Sequence, residues 1–202
     1  MTIYFNMHPD NPQPRLIRQA VDALKKGELI IYPTDSTYAF GCALDSSTAL
    51  ARIRKLRGLS DKHPLTLVCH NISQASTYAL ISNKAFNFIK NNTPGPYTFI
   101  LKANKMVPRL ALGVKRKVVG IRIPDNLIAL AIVEALEAPI LSATLWLEGD
   151  TKPIIDPQDI DKEILHKIKY VLDGGPNDPG QTTVLDYTED EPVLIRQGKG
   201  HV

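Results

Sequence analysis

The chain of 202 residues carries 24 Lys plus Arg against 21 Asp plus Glu, a formal net charge of +3, with 44% hydrophobic and 22% charged residues. This is the composition of a globular protein with enough apolar material for a core, and it excludes disordered, collagen-like and membrane-spanning chains. The charge is too mild for a dedicated nucleic-acid binder, so an anion site has to be built locally from a few placed residues.

The N-terminal stretch MTIYFNMHPDNPQP lacks the charged-then-apolar pattern of a secretory signal, so a cytoplasmic protein with one domain over 1–202 is expected. From Arg15 to Lys26, residues Leu16, Ile17, Ala20, Val21 and Leu24 share one helical face, and Gly27 follows as a C-terminal cap; this predicts an amphipathic helix. Leu29 to Pro33 is a short apolar run that predicts a buried strand, and the hydroxyl-rich segment from Pro33 to Tyr38 sits at its end, where open α/β sheets place ligand contacts. Asp45, Ser46 or Ser47 caps a second helix through Ala49, Leu50, Ile53 and Leu56, whose end directs Lys55 and Arg57 out of the core.

Strands are then expected at Pro64 to Cys69, Tyr97 to Leu101, Val118 to Ile123 and Pro139 to Thr144, with helices at Asn83 to Lys90 and Asn126 to Leu136. A turn falls at Thr93-Pro94-Gly95-Pro96. The last part predicts a helix at Pro157 to Ile168 and strands at Tyr170 to Asp173, Thr182 to Tyr187 and Val193 to Arg196. Helices alternating with short apolar strands imply a three-layer α/β fold around one mixed sheet, with antiparallel pairs near an edge. Cys42 and Cys69 lie in apolar stretches without metal-ligand spacing and read as small buried thiols.

Three groupings could carry chemistry, and none holds a nucleophile–base pair, so no catalytic dyad is assigned. Lys55 and Arg57, with Lys62 behind them, can converge on a phosphate chain or simply form a solvated helix end. Thr34, Ser36 and Thr37, joined by Thr182 and Thr183, can bind a polar ligand or close strand-end turns. Arg122, inside the apolar run VVGIRIP, requires either a buried ion pair or a ligand. Lys115-Arg116-Lys117 reads as a solvated turn that could also face RNA, and His63 and His70 are too far apart for a local ligand pair, so no metal site is expected. Trp146 fits either a core position or a site wall. Neither common nucleotide fingerprint, GxxxxGK[ST] or GxGxxG after a strand, occurs.

The order of the segments is more informative than any one of them: YPTDSTYAFGC, KLR with DKHPL, TPGPYTFIL, GIRIP, LSAT, TTVLD and LIRQG. Taken together they resemble the YrdC/YciO family, whose members include the threonylcarbamoyl-AMP synthases. The resemblance spans roughly residues 15 to 198. It implies a single α/β domain with a twisted mixed parallel and antiparallel sheet, helices on both faces and a basic concave surface. It also implies condensation of L-threonine, bicarbonate and ATP into threonylcarbamoyl-AMP and pyrophosphate, for the threonylcarbamoyl modification of adenosine in tRNA completed by partner proteins. ATP would enter with magnesium as a substrate complex, and no tightly bound cofactor is implied.

By motif match, Lys55, Arg57, Lys62, Ser142, Thr144 and Arg196 would contact the nucleotide, and Thr37, Arg122 and Thr182 would line the threonine and carbamate end. One motif departs from the synthase pattern. Where synthases read S-x-N followed by S-G, this chain reads Thr144-Leu145-Trp146 and then Glu148-Gly149. A large ring replaces a small amide, and a carboxylate replaces a hydroxyl. The pattern looks like the YciO branch of the family and implies weakened adenylate synthesis. Two other readings follow from the residues: a non-catalytic protein binding tRNA or double-stranded RNA on the basic face, and a hydrolase with Glu148 as its base.

Overall fold

The computed structural model describes residues 2–202 apart from 61, 62, 64, 113–116, 148 and 190, and the backbone but not the side chain of residue 110. Its centre is built from short strands whose residues are apolar on both faces. Such strands have to be covered on both sides, and helices do most of the covering.

Along the chain, β1 (Ile3–Asn6) is followed by α1 (Pro14–Lys25), β2 (Ile30–Tyr32), β3 (Ala39–Ala43), α2 (Ser47–Leu56), β4 (Thr66–Val68), α3 (Ile72–Tyr78) and β5 (Ala79–Leu80). Then come α4 (Asn83–Asn92), β6 (Tyr97–Ala103), β7 (Val118–Arg122), α5 (Leu127–Leu136), β8 (Ile140–Thr144), α6 (Lys162–Leu165), β9 (Tyr170–Asp173), β10 (Thr183–Asp186) and β11 (Val193–Arg196). The strands form one mixed sheet in the order β1-β9-β2-β3-β8-β4-β7-β6-β10-β11, with β5 added beside β6. The pairs β1–β9, β2–β9, β4–β7 and β6–β10 are parallel, and β2–β3, β3–β8, β4–β8, β6–β7 and β10–β11 are antiparallel.

The helix ends follow the local sequence. Ser46, Ser82 and Asn126 accept from the backbone N–H three residues on, capping α2, α4 and α5, and Gly27 takes a left-handed φ of 76° just past α1. The expected helix over Pro157 to Ile168 is corrected. The segment breaks into a 3-10 turn at Pro157–Asp159 and the short α6, because Asp156 and Asp161 each cap a new start. The expectation also lacked β1, β3, α3 and β5. Both cysteines are free and buried, and burial pushes each thiol up to about 12.

Two apolar layers lie on opposite faces of the sheet. On one face Phe40, Leu67, Phe99, Val119, Ile121 and Leu141 pack with Ala49, Leu50 and Ile53 of α2 and with Ala85 and Ile89 of α4. On the other, Ile30, Tyr32, Ala39, Val68 and Ile140 pack with α1 through Ile17, Ala20, Val21 and Leu24, and with α5 through Ile128, Ala129, Ile132 and Val133. This second layer stops at β4. Among the described residues no helix lies over the same face of β7, β6 and β10, and that bare half of the sheet is where the candidate site lies.

Tight interior packing makes the middle of the sheet sensitive to single methyl groups. A Cβ on Gly41, in β3, would lie 2.9 Å from both Ile140 Cγ2 and Tyr32 Cε1. We expect Gly41→Ala to lower unfolding free energy by about 1–3 kcal/mol in chemical denaturation, as overpacked cores do. An unchanged midpoint would show that the sheet yields at this crossing.

Candidate functional site

Side chains alternate across each strand, so one residue in two along β6, β7, β8 and β10 points to the bare face. Thr98 and Ile100, Val118, Gly120 and Arg122, Ser142 and Thr144, and Val184 line it together with Thr66 and Val68 of β4. They floor a cavity of ≈ 630 Å³ whose walls come from Ser36 and Thr37 after β2, Arg57, Leu59 and His63 after α2, Trp146 after β8, Gln181 and Thr182 before β10, and Arg196 of β11. A Cβ on Gly120 would lie 2.9 Å from Thr66 Oγ1, so a larger residue there needs that hydroxyl to turn aside.

Arg122 resolves the choice between ion pair and ligand site, because it forms the first within the wall of the second. Its Nη2 donates to the Asp35 carboxylate, to Ser36 Oγ at 2.8 Å and to Thr34 Oγ1 at 3.0 Å. Both partners of the pair are buried, with side-chain exposures of 10% for Arg122 and 9% for Asp35. Asp35 Oδ2 also accepts from the Asp125 backbone N–H at 3.0 Å, and Thr34 Oγ1 donates to the Thr37 carbonyl at 2.6 Å. The loop after β2 is thus folded around one guanidinium, which brings Ser36 and Thr37 to the cavity. The sequence reading did not select Asp35. Its signal was a lone carboxylate inside a hydroxyl-rich loop, in a chain that also had an uncompensated arginine in a strand.

Arg57 and Arg196 stand elsewhere on the wall. Arg57 Nη1 donates to the Trp146 carbonyl, tying the end of α2 to the loop after β8. That loop is closed on itself: the Trp146 indole N–H donates to the Asp150 carbonyl at 3.0 Å, and the Leu147 N–H donates to Asp150 Oδ2 at 3.1 Å. Trp146 is therefore a wall of the site. Arg196 donates to the Thr182 carbonyl at 2.9 Å and to Thr182 Oγ1 at 3.2 Å, while the Thr182 hydroxyl lies 2.9 Å from Thr98 Oγ1.

Burial lowers the Arg57 guanidinium, and burial together with the nearby Arg122 charge lowers that of Arg196. Both stay charged at neutral pH, so each is a cation in a place that disfavours cations and that an anion would relieve. The Nε of Arg57 and that of Arg122 are buried with no acceptor among the described residues, a cost a ligand oxygen would remove. His63 is lowered by burial and by Arg57 and Arg54, so its imidazole is neutral at pH 7. Ser142 accepts from the buried Tyr32 hydroxyl at 2.7 Å, which fixes its orientation on the floor.

Of the residues selected from the sequence, Arg57, Ser142, Thr144, Arg196, Thr37, Arg122 and Thr182 all line this one cavity. Lys55 is exposed on α2 and is not among the lining residues, because two positions along a helix point to different sides. Lys62, Glu148, Lys115 and Arg116 lie outside the described residues. Thr183 faces the opposite layer, where its hydroxyl donates to the Gly200 carbonyl at 2.6 Å and holds the C-terminal turn. Among the described residues no group of three His, Cys, Asp or Glu is placed to hold a metal ion, and no helix is long and apolar enough to cross a membrane.

The fold and cavity define an α/β protein with an arginine-lined pocket on a half-covered sheet. The family model for Sua5, YciO and YrdC, described as telomere recombination, matches residues 22–198, and the chain belongs to this family. It is 48% identical over 202 residues to YciO of Escherichia coli K12, covering 100% of this chain and 98% of that one. The crystal structure of E. coli YciO superposes with a TM-score of 0.94 at 47% identity, covering 100% of this chain and 98% of that chain. A threonylcarbamoyl-AMP synthase of Pyrococcus abyssi is 30% identical over 200 residues, 98% of this chain and 58% of the synthase. The P. abyssi Sua5 structure complexed with L-threonine matches with a TM-score of 0.87 at 30% identity, covering 97% of this chain and 57% of that one. The expected fold is therefore the family's fold.

Removing one member of a buried ion pair strands the other. We expect Asp35→Ala to cost about 3–5 kcal/mol of stability, and the double variant Asp35→Ala with Arg122→Met to recover most of that loss. Equal stability of Asp35→Ala and the parent in urea would show that the pair is not the anchor of this loop.

Proposed function

We propose that the cavity takes ATP with its magnesium ion, L-threonine and bicarbonate, and carries out threonylcarbamoyl-AMP synthase-type chemistry slowed by the altered motif at Trp146. The observation that carries this reading is the convergence of Arg57, Arg122 and Arg196 with the hydroxyl groups of Thr37, Thr98, Ser142, Thr144 and Thr182 in one cavity of ≈ 630 Å³. Three guanidinium groups suit a polyphosphate and a carboxylate, and hydroxyls suit the rest of a polar substrate. The likeness to a relative solved with L-threonine supports the same assignment.

In this reading Arg57 and Arg196 hold the phosphates. Ser142 and Thr144 meet the nucleotide from the floor. Arg122, Thr37 and Thr182 orient the threonine and its carbamate. The threonine amine and bicarbonate condense with loss of water. A carbamate oxygen then attacks the α-phosphorus, the bond to the bridging oxygen breaks, and pyrophosphate leaves. No side chain has to act as a nucleophile; positioning and the fixed positive charge supply the rate. Trp146 stands where a synthase motif offers an amide, so its ring removes one donor–acceptor group from the nucleotide contacts. Magnesium arrives with the triphosphate, and the adenylate passes to partner proteins that act on tRNA.

The bare face continues beyond the cavity past Ile100 and Val118 to Lys102 and Lys117, but Asp186 and Glu189 border it and Lys102 pairs with Glu189 at 3.4 Å. This mixed charge favours a small anion over a long RNA backbone.

Pyrophosphate release tests the proposal. With magnesium, ATP, L-threonine and bicarbonate, the parent should release pyrophosphate only when threonine and bicarbonate are both present. Arg57→Ala and Arg196→Ala should each slow it by about a hundredfold, and Trp146→Asn should speed it. Absence of ATP binding at millimolar concentration in the parent, with no difference in Arg57→Ala, would overturn the reading.

A further inference from the structure

Three walls of the cavity come from segments far apart in the chain: the loop after β2 with Ser36 and Thr37, the loop before β10 with Gln181 and Thr182, and Arg196 at the end of β11. Strand pairing places the strands but leaves the two loops outside the ladder, so the gap between them is set by other contacts. Lys199 spans that gap, and it is not itself among the lining residues. Its Nζ donates to the Asp35 carbonyl at 3.1 Å and to Asp178 Oδ2 at 3.0 Å, and its backbone N–H donates to the Gln181 carbonyl at 2.9 Å. Asp35 is thereby clamped at both ends, by Arg122 at its carboxylate and by Lys199 at its carbonyl, immediately before Ser36 and Thr37. The Lys199 side chain is 26% exposed against 81% for Asp178, so the ion pair is the weaker part of this arrangement and the bond to the carbonyl the firmer.

The surrounding backbone is shaped to this lysine. A Cβ on Gly180 would lie 2.6 Å from Lys199 Cδ, so the aliphatic stem rests directly on the glycine, and a Cβ on Gly198 would run into the Gln181 carbonyl against which the C-terminal turn is pressed. The turn is held on both sides of Lys199. Before it, the Gly198 N–H donates to Thr183 Oγ1 at 2.9 Å; after it, the Gly200 carbonyl accepts from the same hydroxyl and the His201 carbonyl accepts from the Tyr97 hydroxyl at 2.8 Å. The ammonium therefore reaches the loop after β2 from a fixed origin.

We infer that Lys199 is a positioning residue: it holds Ser36 and Thr37 at their separation from Thr182 and Arg196, and so sets how tightly the cavity takes a polyphosphate anion that it does not itself touch. The inference rests on the reading of the cavity as an anion site. A lysine charge also attracts a polyanion through space, but that attraction fades with salt, whereas a tie between two loops does not.

Amide hydrogen exchange and titration with ATP and magnesium, both on the full chain, test it through Lys199→Met, which keeps the stem and removes the donor. Exchange at Ser36 and Thr37, whose N–H groups donate to Thr34 Oγ1 at 3.2 and 3.3 Å, and at Asp125, should quicken by about tenfold while α1 and α5 stay as in the parent. Affinity for ATP should fall by about tenfold, and by the same factor at about 0.05 M and about 0.5 M salt. Lys199→Arg, which keeps a donor for the Asp35 carbonyl, should bind within about threefold of the parent. Circular dichroism of each variant should match the parent. Unchanged exchange at Ser36 and Thr37 with ATP still bound would overturn the role of Lys199 alone, as would a loss of affinity that disappears at the higher salt. A parent that binds no ATP at millimolar concentration overturns the reading of the cavity and this inference with it.

Discussion

A guanidinium in the middle of an apolar strand is stable only if a counter-charge comes to it, and the placement of Asp35 beside Arg122 is the constraint around which the site is organised. The counter-charge arrives on the loop between β2 and β3. To deliver it, Pro33 to Tyr38 must fold back over the edge of the covered half-face, and Thr34 closes that fold by bonding to the Thr37 carbonyl. Ser36 and Thr37 reach the cavity as a consequence. The same loop is held from the far side by Asn177, which donates to the Thr34 carbonyl at 3.0 Å, and by Lys199, which donates to the Asp35 carbonyl at 3.1 Å. The ion pair joins β7 to the loop after β2, and the Lys199 bond to the Asp35 carbonyl adds the C-terminal segment.

The second condition is that two helices cover only part of one face. Helices α1 and α5 seal the sheet as far as β4, while α2 and α4 lie on the reverse side. Sheet residues beyond that limit would be solvated threonines and valines were they not ringed by Arg57, Trp146 and Arg196. Three guanidinium groups come to a half-enclosed space, Arg122 with its charge met by Asp35 and Arg57 and Arg196 bonded to backbone carbonyls, and among the described residues the Nε of Arg57 and that of Arg122 find no acceptor. The anion site proposed here thus depends on the fold as much as on any one side chain.

Much of this was legible in the sequence. The strong helical periodicity from Leu16 to Leu24 located α1 to within a residue, and the apolar runs at Tyr170–Asp173 and Val193–Arg196 gave β9 and β11 at their observed bounds. Strand β3 was missed because Ala39–Ala43, unlike the Leu29 to Pro33 run, has no β-branched residue and carries Gly41 at its middle. The helix expected after Pro157 failed through local chemistry, since each aspartate cap that can start a helix also interrupts one. For the site, the ordered motifs delivered seven residues that meet in one cavity, yet Lys55 and Arg57, two residues apart, were treated as equivalent although a helix turns them to different sides. The partner of Arg122 was not legible, because ion pairing across 87 positions leaves no local periodic trace.

Anion binding by the bare half of the sheet is open to direct observation. Amide chemical shifts of the labelled protein titrated with ATP and magnesium test it most directly. Saturable shifts are expected at Gly120, Thr66, Thr182 and Trp146, with α1 and α5 unmoved and the shifts lost in Arg196→Ala. Shifts confined to the α2 and α4 side of the sheet, or none at millimolar nucleotide, would contradict it.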